Sequence, residues 1–293
     1  MGELLTQGER GENMVSTVKV RLLSRKVSTR MRRFLLMALL ALLAVTMVIP
    51  FVWMVTGALK TEATLFAMPM RLLPEKAKWT NFTEVWNRVP YAMFYLNTAK
   101  IAVLATIGQL VVCSLGAYAF ARIDFPHRDK LFLLFLATMM IPSQVTMIPQ
   151  FGLIKALGLM NKHGALILLR LFSPFGVFML RQFFLNIPFE LSEAARIDGC
   201  NECSIYARII LPLSKPAIAT LTVFTFLSAW NDYMTPLIYL SDQRLFTLQI
   251  GIRFFQQMYG SEYTLILAAT TLSLIPVIVV YLFAQRYFIE GVA

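Results

Sequence analysis

Three groups of residues in this sequence carry chemistry-bearing side chains, and their spacing limits what they can do. Cys200-Asn-Glu-Cys203 has the spacing of a redox or metal half-site. The other cysteine is Cys113, and the two histidines, His127 and His163, lie far from the pair in sequence. A zinc site normally takes four such ligands, so the pair reads as two ordinary residues on a short helix. No metal, cofactor or catalytic group is expected. The sequence also has no G-x-x-x-x-G-K-[ST] phosphate loop, so this chain is not expected to hydrolyse ATP itself.

The second group runs from Glu193 to Pro212, a polar and charged stretch between two apolar segments. Glu190, Glu193, Ala194 and Ala195 favour helix, with Ser192 as a local cap. Gly199 permits a turn with positive φ or a close backbone approach. A second helical stretch to about Ile210 is ended by Pro212 and Pro216. The expected product, over 190–212, is a helix–turn–helix on the cytoplasmic face. It presents Ala194 and Ala195 as a flat surface for a partner's cleft, with Glu193 giving a charged hydrogen bond at the rim. Loops this long are unusual without a role. The third group is polar but surrounded by apolar sequence: Asn231, Asp232, Tyr233 and Thr235, with Asn97, Gln109, Ser114 and Tyr118 behind them. Inside a membrane such groups must face a cavity or pair with another helix.

The elements that must position these groups follow from composition. The chain is 58% hydrophobic and 15% charged, with a mean hydropathy of +0.65. Its apolar residues come in long blocks, which defines an all-α integral membrane protein. Blocks of about 20 residues predict six transmembrane helices at 34–55, 101–122, 131–151, 165–184, 217–239 and 265–283, with Arg170 and Pro174 interrupting the fourth. Residues 1–33 form a basic cytoplasmic N-terminal tail and 34–293 a transmembrane domain. The net charge of +11 sits at span ends, as the positive-inside rule requires, and not in a groove with interleaved aromatics. Nucleic acid is not expected as a partner; a lipid bilayer is. Lys19, Arg21, Arg25, Lys26, Arg30, Arg32 and Arg33 place the N-terminus in the cytoplasm, and an even number of spans returns the C-terminus there.

Glu193-Ala194-Ala195, three residues, Gly199, nine residues, Ile209, one residue, Leu211-Pro212 resembles in full the EAA signature of ATP-binding-cassette importer permeases. Further phrases resemble the carbohydrate-uptake, maltose-transporter-type branch: Ala117-Tyr118-Ala119-Phe120-Ala121-Arg122, Met140-Ile141-Pro142-Ser143-Gln144, Trp230-Asn231-Asp232 and Gln285 through Gly291. Arg170 falls where that family is usually apolar or aromatic. The resemblance implies a type I ABC importer transmembrane fold with a cytoplasmic coupling helix, in a prokaryotic plasma membrane. It implies a heterodimer with a homologous second permease subunit, a cytoplasmic ATPase dimer and an extracytoplasmic solute-binding protein. Glu193, Ala194, Ala195, Gly199, Ile209, Leu211 and Pro212 would then couple to the ATPase. The cargo would be a sugar or oligosaccharide, met by Asn231, Asp232, Asn97 and Tyr118 with Trp230 or Tyr233 as an aromatic platform. An ABC permease for an amino acid, peptide or polyol phosphate is the alternative. An ATP-independent secondary transporter fits less well, because no inverted repeat or buried carboxylate cluster is evident.

Overall fold

A first apolar stretch with no polar face can only be a helix in lipid. The computed structural model describes residues 3–69, 71–257 and 262–290, and the side chains of 31–69, 71–256 and 262–287 among them. All regular structure among these is helical. The chain divides into two units, Met1–Thr56 and Gly57–Ala293. Helix α1 (Glu3–Ala58) makes up the first and runs on through Pro50 without a break. The basic side chains from Lys19 to Arg30, and the final residues 291–293, lie outside the described residues.

The second unit is built on α4 (Tyr91–Arg122), preceded by the short α2 (Glu62–Leu65) and α3 (Thr80–Arg88). After it come α5 (Arg128–Ala137), α6 (Ser143–Ala156), α7 (His163–Leu168) and α8 (Pro174–Asn186). The loop region holds α9 (Glu190–Ile197), α10 (Glu202–Ile205), a π-helical turn at Tyr206–Ile210 and α11 (Leu211–Leu213). Then follow α12 (Lys215–Trp230), α13 (Met234–Tyr239), α14 (Leu248–Gln257) and α15 (Tyr263–Glu290). Helices α8 and α12 pack on α4, and α15 packs on α12. One apolar core, around Phe94, Trp230, Leu248 and Phe255, fills the N-terminal end of α4. Another, around Cys113, Ala117, Phe184 and Ile205, fills its C-terminal end.

Three helical segments are long and apolar enough to cross a membrane: Met31–Ala58, Tyr91–Arg122 and Tyr263–Tyr287. Two bent pairs, Arg128–Met140 with Ser143–Ala156 and Glu202–Leu213 with Lys215–Trp230, turn by 100° and 80° and bring the number to five if each pair is one span. The expected third span, 131–151, is therefore broken at Ile141–Pro142, because Pro142 denies its predecessor the helical conformation and adopts an extended one itself. Pro149, expected to bend the same span, lies inside α6 without breaking it. The fourth, 165–184, is not one helix either. Residues 169–173 interrupt it, and Ser173 restarts the chain by accepting the Gly176 amide with Pro174 at the first helical position. The 13 residues of α8 cover only about 20 Å, two thirds of a bilayer core. The fifth, 217–239, ends as a helix at Trp230.

Gly108 explains how the interruption at 169–173 can lie against α4: a Cβ there would sit 2.4 Å from Leu171 Cδ2. Glycine is the residue that lets a loop approach a helix this closely.

Candidate functional site

The polar stretch folds as a braced loop. In α9 the acidic Glu190 and Glu193 occupy the first turn, where the helix dipole favours negative charge. The helix ends at Gly199, with φ of +82°. The Cys200 amide donates to the Ala195 carbonyl at 2.9 Å and the Gly199 amide to Arg196 at 3.1 Å, the paired bonds of a left-handed helix stop. Asn201 then caps α10 by accepting the Ser204 amide at 2.9 Å. Before Pro212 the helix widens into a π turn, the Leu211 amide bonding the Tyr206 carbonyl five residues back.

Glu202 ties this loop to α4. It accepts from Tyr118 Oη at 2.5 Å and from Arg196 Nε at 2.9 Å. The Arg196 hydrogen bond, with that of Tyr118 second, holds the Glu202 carboxyl below the usual carboxylate range. Ser114 Oγ and Tyr206 Oη are 2.7 Å apart, and the Tyr118 and Tyr206 rings meet edge to face. Arg122, 4% exposed, donates to the carbonyls of Phe184 at 2.6 Å and Ile187 at 2.5 Å and stacks over the Phe189 ring. Sequence reasoning missed Glu202, Arg196 and Arg122. A charged residue at the end of an apolar span, as Arg122 is, was the available signal.

The outward face of α9 carries Glu193 and Ala194, both exposed, and Ile197 at 86% exposure. Ala195 corrects the expectation of a two-alanine docking surface: it is buried in the chain's own core beside Ile205 and Ile210. Ile209 and Leu211 are half-buried and Pro212 is exposed. A Cβ on Gly199 would meet nothing within 4 Å, so the constraint there is backbone conformation alone. Gly199→Val is therefore expected to lower stability by about 1–2 kcal/mol, while Gly199→Asn, which tolerates positive φ, loses less. Thermal melting of the two variants checks this order.

The other candidates divide. Tyr118 is 4% exposed and bonded into the loop through Glu202. Trp230 is 1% exposed, and its Nε1 donates to the Ser273 carbonyl at 3.0 Å. It is packed edge to face against Tyr95 and stacked on Phe226, so no cargo can use its ring as a platform. Asn97 donates to the carbonyls of Arg244 and Phe246 at 2.9 and 3.0 Å and pins that loop. Asn231 is exposed, accepting from Gln249 Nε2 at 3.3 Å, and the half-buried Tyr233 faces the Arg253 guanidinium. Asp232 pairs with Arg170 at 2.7 Å, the two side chains 13% and 18% exposed. Arg170 also donates to Ser228 Oγ at 3.1 Å. The residue that departed from the family pattern is thus Asp232's partner. Of the two expectations for Asp232, cavity or pairing, the structure shows the pairing; it is Arg170 and Ser228 that line a cleft of about 380 Å³ with Gln109 and Thr225.

Three membrane-length helices, two bent helix pairs and a braced polar loop are the parts of a multi-pass membrane protein. Residues 113–293 match the family described as binding-protein-dependent transport system inner membrane component. The arabinooligosaccharides transport system permease protein AraQ of Halalkalibacterium halodurans is 34% identical over 254 residues, 86% of this chain and 91% of that one. The sn-glycerol-3-phosphate transport system permease protein UgpE of Yersinia pestis is 36% identical over 238 residues, 78% of this chain and 85% of that one. A chain of a bacterial ABC transporter involved in the import of the acidic polysaccharide alginate superposes with a TM-score of 0.79 at 25% identity, covering 89% of this chain and 98% of its own. The chain belongs to the binding-protein-dependent transport system inner membrane component family, and it is an ABC transporter permease.

Proposed function

We propose that this chain is one half of the translocation path of an ATP-driven carbohydrate importer. It pairs with a homologous permease, receives cargo from an extracytoplasmic solute-binding protein, and seats its 190–212 loop on a cytoplasmic ATPase dimer. Both termini then lie in the cytoplasm of a prokaryotic cell. One observation carries the coupling role: Ile197 stands 86% exposed on α9, beside Glu193 and Ala194, on a loop that hydrogen bonds fix to a membrane-length helix. A large aliphatic side chain held outward on a rigid polar element is what a partner's cleft would cover. The carbohydrate assignment rests on the arabinooligosaccharide relative, at 34% identity over most of both chains. The glycerol phosphate relative, equally similar, supports a second reading in which the cargo is a polyol phosphate.

In a cysteine-free background of the assembled transporter, Ile197→Cys is expected to cross-link to the ATPase subunit and to be labelled by thiol reagents only from the cytoplasmic side. Labelling only from outside, or a failure to trap the ATPase at this position and at Ala194→Cys, would overturn the coupling role. Uptake of labelled arabinotriose into proteoliposomes only when ATP is enclosed with the ATPase would support the carbohydrate pump.

A further inference from the structure

We infer that the cleft between α4, α8 and α12 is a sugar subsite carried by this subunit itself, built for a neutral, hydroxyl-rich ring. The inference rests on the carbohydrate reading above and names where and how this half of the path would hold the cargo. The cleft, about 380 Å³ in volume, falls at the small end of the range of small-molecule sites. That suits one sugar unit better than a long chain. Gln109 on its wall lies 13 residues from Arg122, about 20 Å along α4 from the loop end, within the depth of a bilayer core.

Two polar side chains there have no hydrogen-bond partner within the described residues, one with its hydroxyl buried and one with its amide still accessible on the cleft wall. Thr225 is 3% exposed, and its Oγ1 is buried with no hydrogen-bond partner. Nearby span threonines solve the same problem by bonding the carbonyl four residues back: Thr222 to Ile218 and Thr220 to Pro216, Thr270 to Ile266 and Thr271 to Leu267. Thr225 does not. Gln109 is 8% exposed, and its amide has no hydrogen bond or ion pair among the described residues. A primary amide offers two donors and an acceptor, and a threonine hydroxyl one donor and two lone pairs, a set that matches sugar hydroxyls. Buried polar groups without partners are rare enough to call for an explanation.

The electrostatics choose the class of sugar. Arg170, the cation of the cleft, is neutralised by Asp232 at 2.7 Å and held by Ser228. An anionic cargo would have to compete with a carboxylate already in place, whereas a neutral ring can accept from the guanidinium's remaining N–H groups. Phe172, Phe175 and Phe224 stand 70%, 42% and 53% exposed around the cleft, and the last two meet edge to face. Their faces suit the C–H surface of a pyranose or furanose.

The test uses the reconstituted transporter with its cognate partners, and arabinotriose and glycerol 3-phosphate as probes. Gln109→Leu and Thr225→Val remove the polar groups and keep the volume. Each is expected to raise KM for arabinotriose about tenfold, the effect of losing a hydrogen bond to a ligand, with kcat within about twofold and complex assembled at the wild-type level. An unchanged KM in both variants would overturn the subsite. So would loss of the second permease on purification of either variant, because the cleft would then be a subunit contact. Asp232→Asn, which frees the guanidinium, is expected to improve competition by glycerol 3-phosphate against arabinotriose; no change would sink the charge argument. If the wild-type complex moves glycerol 3-phosphate and no arabinotriose, the carbohydrate reading itself fails, and the subsite with it.

Discussion

Glu193→Lys is expected to lower ATP-driven uptake at least thirtyfold while the protein inserts and melts as wild type. The separation between the two readouts follows from where Glu193 stands. It is exposed on the first turn of α9 and makes no hydrogen bond or ion pair among the described residues. Within the chain it contributes the favourable field of a helix N-terminus, about 0.5 kcal/mol, and a lesser attraction to the Arg196 guanidinium one turn on. A partner's cleft that closes over α9 removes that residue from water. Breaking a desolvated charged hydrogen bond there costs about 2 kcal/mol or more, a factor of about thirty. Uptake and detergent melting curves measured on the same preparations check both halves. Wild-type transport by Glu193→Lys would remove the residue from the coupling surface, and a fallen melting temperature would show that its role is internal.

Asp232→Ala is expected to destabilise the protein by about 3 kcal/mol, the low end of what is lost when one member of a buried ion pair is left alone. The low end applies because both side chains keep some access to water. The sign of the double variants separates pairing from packing. Arg170→Asp with Asp232→Arg should recover most of the loss, and Arg170→Met with Asp232→Leu should recover it too, since a matched apolar pair carries no desolvation penalty. Melting temperatures of wild type, Arg170→Asp, Asp232→Arg and the swapped pair form the cycle. Additive losses in the swapped pair would mean that the two charges do not depend on one another.

The loop was legible in the sequence because its determinants are local. A glycine after an alanine-rich helical turn acts on bonds a few residues away, and the turn at Gly199 is where the spacing put it; the expected cap and stop were not, because Phe189 and not Ser192 holds the N-cap of α9 and the helix runs past Pro212 to Leu213. The membrane class was legible for the same reason, since long apolar blocks need no partner to be recognised. What escaped depends on contacts distant along the chain. The sequence marks Tyr118 as a polar residue in a span, but its partner Glu202 is 84 residues on. Asp232 was the one acid within the six expected spans, but Arg122, Arg170 and Arg181 all lie in them too, so charge alone pointed to pairing without choosing the partner. The inward turn of Ala195 could not be read, because an eight-residue helix shows which face is buried only once its neighbours are placed. The fourth span failed because a hydropathy window tolerates Pro174 and Arg170, whereas a helix running continuously through Ser173 would leave its N-cap hydrogen bond unmade.

Arg122 has a mechanical consequence. Its one guanidinium grips two carbonyls at the end of α8, so the termini of α4 and α8 form a single strut that cannot splay without exposing a charge. Helical bonding lapses at 169–173 and at Ser214, among other breaks, and these are joints at which the neighbouring helices can turn. The first of them carries Arg170 on the wall of the cleft.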